Sequence, residues 1–447
     1  MTNEKYGLIG KTLVHSYSKE IHEALGRYQY QLFSLAEDEM PDFINARDFR
    51  GLNVTIPYKK DVIPLCDEVT DLARGIGAVN TLFWKNASGA GASESISQED
   101  KILVGHNTDY EGFLYAASRA GIDFEGKGVL ILGTGGTSLM ARRAAADQNA
   151  AKIYIASRHP ETDPPSGSEI QDAGILSTVS YDQLPEIADS IDVIVNTTPV
   201  GTFPNNMQQV IRLKDFPGCQ AVIDVIYNPF KTALLLEAEK LGLKYTNGLP
   251  MLVAQATAAA GYFLGTPGAF QKENQRIIKS MKQRMGNIVL IGMPGTGKSL
   301  IGKLLAELTG KTLQDTDAKI EEEAKMTIPE IFEKEGETGF RDRESAICKK
   351  LGKERNLIIA TGGGAILRPE NVDALRQNGT LVHITRSIDK LPTRGRPLSK
   401  NIEALKKMEA QRMPLYKATA DITFRNNYTC SRKKLRQRVT TYILEKL

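Results

Sequence analysis

Short apolar runs, each closed by glycine or a polar turn, recur along this 447-residue chain. The runs "KYGLIG" and "GLNVTIP" lie in the first sixty residues, and "KGVLILGTGG", "AKIYIASR", "IDVIVNTTP" and "AVIDVIY" lie between 127 and 227. "NIVLIG", "LIIATGGG" and "LVHIT" follow after 286. Apolar runs of this length bounded by turn signals read as buried strands. "TSLMARRAAADQ" and "LVAQATAAAGYFL" carry longer helical patterns. The succession strand, glycine turn, helix and strand from Lys127 to Arg158 is a βαβ unit, so the later runs read as further strands of one parallel sheet.

The pattern restarts once. After "LVAQATAAAGYFL" comes a polar, helix-like stretch, and "NIVLIG" then begins a new strand, which places a boundary near Met285. The reading is α/β throughout. A first domain spans 1–105 and is completed by about 240–270, a second spans 106–240, a linker covers 271–286, and a last domain spans 287–447. The stretch "NASGAGASESISQED", Asn86–Asp100, reads as a flexible loop or long β-turn insertion. A chain of this length is too long for one ordinary core.

Composition narrows the classes. With 41% hydrophobic and 25% charged residues, the chain has an ordinary globular balance. No apolar run is long enough to span a bilayer, and "MTNEKYGLIG" has no signal-peptide core. Cys66, Cys219, Cys348 and Cys430 are scattered, which points to a reducing cytoplasm and away from a zinc cage. The net charge of +4 divides into about +10 from Gly286 onward and about −6 before it. The basic stretch "SRKKLRQR" has no interleaved aromatics and reads as the solvated face of a helix, so no nucleic-acid partner is expected, nor a membrane or an obligate protein partner.

Two glycine turns carry candidate chemistry. "GTGGTS" (Gly133, Gly135, Gly136, Thr137) departs from a strict G-x-G-x-x-G, but it lies between a strand and a helix, where backbone N–H groups can face a pyrophosphate. The second strand of that unit ends in Ser157-Arg158 where an acidic residue would hold the ribose hydroxyls, and a guanidinium there suits the 2′-phosphate of NADP. Upstream, "HSYSKEIH" supplies Ser16 and Ser18, "GLNVTIPYKK" supplies Asn53, Thr55 and Lys59, "GAVNTL" supplies Asn80, and "GHNTDYEG" supplies Asn107 and Asp109. Hydroxyls, amides and a Lys/Asp pair suit a polyhydroxylated substrate with a carboxylate. A lysine beside an aspartate can relay a proton to a carbonyl oxygen as hydride arrives at its carbon.

Together these motifs resemble shikimate 5-dehydrogenase over essentially the whole first part. The resemblance implies a Rossmann-type NADP domain beside an α/β substrate domain. It implies Ser16 and Ser18 on the substrate carboxylate, Lys59 as the catalytic lysine with Asp109 as its partner, and Thr55, Asn80, Asn107, Tyr227 and Gln255 as substrate contacts. Lys19 stands where that family usually has proline.

"GMPGTGKS" fits G-x-x-x-x-G-K-S after a strand, a loop whose N–H groups cradle phosphates. Gly292, Gly295, Thr296, Gly297 and Leu300 belong to this nucleotide loop, Lys298 reaches the β/γ oxygens, and the Ser299 hydroxyl can hold Mg²⁺. "LQDTDAK" then ends a strand with Asp315 and Asp317, two apart and so on one strand face. "GFRDRE" offers Arg341, "ATGGGAIL" three glycines, "TRGRPLS" Arg396 on a lid-like loop, and "QRMPLY" Arg412. This part resembles shikimate kinase across about its full length. The resemblance implies Asp315 in the Mg²⁺ shell, Asp317 as base on the ring hydroxyls, Arg341, Arg412, Gly363 and Gly364 on shikimate, and Arg396 with ATP. Only a short segment separates "LVHIT" from Arg396, where that family has a full helix ending near the adenine.

The expectation is a bifunctional enzyme using NADPH and ATP with Mg²⁺ that reduces 3-dehydroshikimate and phosphorylates the shikimate formed. One alternative is an NAD-using quinate/shikimate dehydrogenase fused to a kinase, against which Arg158 speaks. Another is a catalytically inactive regulator, which would have lost Lys59, Asp109, Lys298 or Asp317; all four are present.

Overall fold

The computed structural model describes residues 5–13, 16–86, 101–162, 174–391, 402–427 and 431–447. The chain forms two compact units, the first comprising Met1–Val200, Gln209–Tyr227 and Glu237–Lys279, the second Gly201–Gln208, Asn228–Leu236 and Ser280–Leu447. The second unit therefore takes in two short segments from ahead of 240, which the sequence pattern does not signal.

The first unit holds two sheets. One is mixed and six-stranded, in the order Tyr30–Ser34, Tyr6–Gly10, Gly51–Val54, Thr81–Asn86, Lys101–His106 and Glu68–Val69. Thr81–Asn86 and Lys101–His106 pair antiparallel with Asn86 opposite Lys101. The low-complexity stretch thus connects a hairpin; its residues 87–100 lie outside the described ones. The other sheet is wholly parallel, in the order Lys244–Thr246, Ala221–Asp224, Val193–Asn196, Gly128–Leu132, Lys152–Ser157 and Leu176–Ser180. Its central strand is buried on both faces, which is why "VLIL" is a continuous apolar run rather than an alternating one. Helix Gly136–Asp147 follows that strand through the first glycine turn.

Helices Thr108–Arg119 and Gly248–Phe263 pack closely, and Gly112 permits it: a Cβ there would lie 2.6 Å from the Met251 carbonyl oxygen. This close approach sets the N-terminal turns of both helices beside one cavity, described below.

The second unit is built on a five-stranded parallel sheet, in the order Thr312–Asp315, Leu357–Ala360, Asn287–Ile291, Gly379–Thr385 and Ile422–Arg425. The strand from "NIVLIG" is central and buried along its whole length, and the nucleotide loop leaves its C-terminal end. That end of a parallel sheet, at the switch in strand order, is where ligands bind. The helical stretch Ile328–Lys353 starts at a Thr327/Glu330 capping box and is broken at Gly336. The basic stretch near the C-terminus forms helix Arg432–Tyr442. No helix among the described residues is long and apolar enough to cross a membrane.

Candidate active sites

In the first unit, strand Gly51–Val54 delivers Asn53 and then turns through Thr55, Ile56 and Pro57 to Lys59. The Lys59 ammonium donates to Asp109 Oδ2 at 2.5 Å, with both side chains about a quarter exposed or less. Asp109 lies in the first turn of helix Thr108–Arg119, so the pair joins the strand end to a helix N-terminus. The Asn80 amide is oriented by its surroundings. Its Oδ1 accepts from the Thr108 N–H at 2.7 Å and from the Thr81 and Thr108 hydroxyls, which leaves its NH₂ as the donor for a ligand.

These groups line a cavity of about 410 Å³. The expected residues Ser16, Ser18, Thr55, Lys59, Asn80, Asp109, Thr137, Tyr227 and Gln255 meet in it. Asn107 is not among its lining residues; it is buried, donates to the Ala78 carbonyl at 2.9 Å, and leaves Oδ1 without a partner. Among the other lining residues are Asn53, from the same motif as Thr55 and Lys59, and Tyr17. Asn53 receives the Tyr30 hydroxyl at 2.7 Å and donates to Asn80 O. Tyr17 meets Tyr227 edge-on at 6.0 Å between centroids. Its position as the spacer of S-x-S gave no sign of this contact.

The first glycine turn is shaped for a ligand. Gly133 has φ near +100°, Gly135 caps helix Gly136–Asp147, and a Cβ on Gly135 or Gly136 would meet only open space. Room is therefore left beside a helix N-terminus, which fits a pyrophosphate. Ser157 is buried with its Oγ accepting from the His159 N–H, while Arg158 is exposed, with its charge felt by Tyr181.

In the second unit Gly292, Gly295 and Gly297 all have φ between +83° and +144°, which side-chain-bearing residues rarely adopt. The loop folds back so that Lys298 donates to the Gly292 and Met293 carbonyls, at 2.8 and 3.2 Å. The Ser299 hydroxyl donates to Asp315 Oδ2 at 3.1 Å. A hydroxyl and a carboxylate converging beside a phosphate loop fit Mg²⁺, whose remaining ligands come from phosphate and water.

Asp315 and Asp317 reach this place by a route other than the expected one. The strand ends at Asp315, which caps helix Thr316–Ala324 by accepting from the Asp317 and Ala318 N–H groups. Asp317 therefore comes from the first helical turn, not from alternation along a strand. Its carboxyl is pushed up to about 6, first by burial and then by the Asp315 and Glu344 carboxylates, against the pull of Lys298 and Arg341.

The two carboxylates share a cavity of about 590 Å³ with Gly295, Gly297, Lys298, Ser299, Leu300, Arg341, Gly363, Gly364 and Arg412. Gly292 and Thr296 are not lining residues; the buried Thr296 bonds Met293 O. Arg396 lies outside the described residues. Sequence reasoning missed Glu344, which is wholly buried and pairs with Arg341 at 2.7 Å. The signal was its place one helical turn after Arg341.

The family model "Shikimate dehydrogenase substrate binding domain" matches residues 8–82, and "Shikimate kinase" matches 294–447. Shikimate dehydrogenase (NADP(+)) of Caldicellulosiruptor bescii is 35% identical over 268 residues, 57% of this chain and 88% of that protein. Shikimate kinase of Nitrosomonas europaea is 48% identical over 145 residues, 31% of this chain and 69% of that protein. Among solved structures, a chorismate mutase/shikimate 5-dehydrogenase fusion protein from Clostridium acetobutylicum aligns with a TM-score of 0.54 at 32% identity, over 63% of this chain and 98% of that one. Shikimate 5-dehydrogenase from Thermus thermophilus, in complex with NADP(H) and shikimate, aligns at 0.51 and 28% identity, over 62% of this chain and 99% of that one.

Proposed function

Since the chain belongs to the shikimate dehydrogenase family in its first part and to the shikimate kinase family in its last, we propose an assignment of roles to the residues of its two cavities. The protein is a bifunctional shikimate-pathway enzyme, an NADP-dependent dehydrogenase joined to an ATP-using kinase. The observation that carries the assignment is that each cavity holds its own lysine and its own acids.

In the first cavity Ser16 and Ser18 hold the carboxylate of 3-dehydroshikimate, while Thr55, Asn80, Gln255 and Tyr227 hold its ring. Bound NADPH supplies the hydride. Lys59 donates a proton to the carbonyl oxygen that hydride addition makes basic, and Asp109, at 2.5 Å, keeps the ammonium aimed. Asn107 acts from behind, holding the loop before Asp109 through Ala78 O. Gly133, Gly135, Gly136 and Thr137 face the pyrophosphate, and Ser157 and Arg158 the 2′-phosphate.

In the second cavity Arg341 and Arg412 hold the shikimate carboxylate. Asp317 accepts the proton of the attacking hydroxyl, for which a carboxyl at about 6 is well matched near neutral pH. Lys298 leaves the Gly292 and Met293 carbonyls to meet the β/γ-phosphate oxygens. Ser299 and Asp315 would hold Mg²⁺, which supplies charge neutralisation when bound. Arg396, outside the described residues, is read from the sequence alone as a contact to ATP.

Within the described residues Cys66, Cys219 and Cys348 are free thiols, in keeping with a reducing cytoplasm. The test is incubation with 3-dehydroshikimate, NADPH, ATP and Mg²⁺, omitting each nucleotide in turn. Shikimate should accumulate without ATP, and nothing should form without NADPH. Shikimate 3-phosphate formed without NADPH would refute the order of steps.

A further inference from the structure

Helix Ile402–Thr419 carries Arg412 and, one turn later, Tyr416. Residues four apart lie on one helix face, so the two side chains emerge together. Tyr416 is completely buried, and its ring stacks on His383 with centroids 4.7 Å apart and planes 19° from parallel. Its hydroxyl donates to the Gly363 carbonyl oxygen at 2.6 Å and interacts electrostatically with the Arg412 side chain. A phenol has one proton to give and lone pairs to accept with. The proton goes to Gly363, so toward Arg412 the hydroxyl presents only lone pairs, which suit a guanidinium donor.

The Gly363 carbonyl and the Gly364 N–H belong to one planar peptide and point in opposite directions. Capturing the carbonyl therefore fixes the direction of the N–H. Gly364 lines the second cavity with Arg341 and Arg412, and its N–H has no protein partner among the described residues. On its α-carbon side Gly364 lies against Arg341, where a Cβ would come within 2.1 Å of Nη1. Two guanidinium-bearing residues and the residue that carries this N–H thus line one cavity.

We propose that Tyr416 is the positioning residue of this carboxylate clamp, its single hydroxyl setting the Arg412 guanidinium and the Gly363–Gly364 peptide in register so that both donors meet one carboxylate. Tyr416 does not touch the substrate. The proposal rests on the reading of Arg341 and Arg412 as the carboxylate-binding arginines. His383 serves as backing for the ring; the burial that holds its pKa at about 4 keeps it neutral and leaves the stack apolar.

The test compares shikimate with its methyl ester as acceptor, in the full-length protein and in Tyr416→Phe, with ATP varied separately. The substitution keeps the ring and its stack and removes only the hydroxyl. The expected result is a five- to tenfold rise in KM for shikimate, roughly the loss of one hydrogen bond. Turnover should stay within about twofold, KM for ATP should be unchanged, and the preference for acid over ester should fall by the same factor as affinity for the acid. A preference unaltered by Tyr416→Phe overturns the proposal and leaves the tyrosine a packing residue. A full-length protein that uses acid and ester equally overturns the carboxylate reading beneath it. His383→Leu disturbs the stack and spares the hydroxyl, so it should lower the melting temperature and keep the preference. A measurement free of substitutions is the amide resonance of Gly364, which should move on adding shikimate without nucleotide. An unmoved resonance at saturation also overturns the proposal.

Discussion

Asp317 ionises near 6 because it is buried beside two other carboxylates. If it is the base, kcat/KM of the kinase should fall below pH about 6 with a slope of one proton. Glu344→Gln removes a neighbouring negative charge and leaves Arg341 with Glu337 as its one carboxylate partner among the described residues, and both changes favour ionised Asp317. The acid limb should therefore move to lower pH, even as affinity for shikimate drops through the disturbed arginine. Rate profiles from pH 4.5 to 8 decide this, and a limb that moves upward or stays in place rules out the electrostatic account. In the first unit Arg158→Leu should raise KM for NADPH and leave that for NADH nearly unchanged, since the exposed guanidinium stands where only the 2′-phosphate would need it. Residue chemistry was legible where a charge or hydroxyl sat in a spaced motif, as with Lys59, Ser299 and Arg341. Tyr17 and Tyr416 were not, because an aromatic beside a motif reads as core until its hydroxyl or edge is seen to face a functional group. Glu344 was hidden among the other charges of "FRDRE".

At the scale of elements, the glycine turns were the most legible parts. Positive φ and close approach are demands that only glycine meets, so "GMPGTGKS" could be placed on a strand-to-helix turn from sequence alone. The turn "TGGGA" shows what such a demand means for function. A Cβ on Gly362 would lie 2.7 Å from both Asp317 Oδ1 and Glu344 Oε1, two buried oxygens without hydrogen-bond partners among the described residues. Gly362→Ala should thus reduce kinase turnover at least tenfold, with a melting temperature close to that of the unaltered protein. The comparison of activity with thermal unfolding separates this from a general loss of fold. The switch from strand to helix at Asp315 was not legible. "LQDTDAK" alternates as a strand would, and only the side-chain cap on the following N–H groups turns it. The sequence leaves only a short segment before Arg396 for adenine contacts, part of it outside the described residues, and Asn426, which borders the nucleotide loop, already spends its amide on Thr296 O at 2.8 Å. Phosphate contacts should then dominate nucleotide affinity. GTP is expected to support the kinase within about a hundredfold of ATP in kcat/KM, a window of about 2.7 kcal/mol, and rejection beyond that limit counts against it.

For the whole molecule, the question is whether two chemistries on one chain are independent. Their lysines, acids and glycine turns are separate sets, each lining its own cavity. Lys59→Ala should abolish most dehydrogenase activity and leave phosphorylation of supplied shikimate unchanged. Lys298→Ala should do the reverse, by uncovering phosphate charge in the transition state. A change of more than about tenfold in the untouched activity would mean about 1.4 kcal/mol of coupling. Independence of chemistry does not carry over to folding. The second compact unit includes Gly201–Gln208 and Asn228–Leu236. Within it the Phe230 N–H donates to Asn378 Oδ1 at 3.1 Å, the Lys231 N–H to Gln377 O at 2.9 Å, and Asn206 Nδ2 to Gln377 Oε1 at 2.6 Å. Asn206, Gln377 and Asn378 are all buried there, so a chain beginning at Ser280 would lose partners for buried polar groups. The sequence places a boundary near Met285 because the hydrophobic pattern restarts there, but pattern along the chain cannot report a segment borrowed from earlier in it. The expected outcome is a fragment 280–447 that phosphorylates shikimate when folded yet melts several degrees below the kinase transition of the full chain. Asn378→Ala in the full chain should reproduce part of that drop, and calorimetry of the three proteins is the measurement. A fragment as stable as the full chain would show that those hydrogen bonds contribute nothing and that the kinase is complete from Ser280 onward.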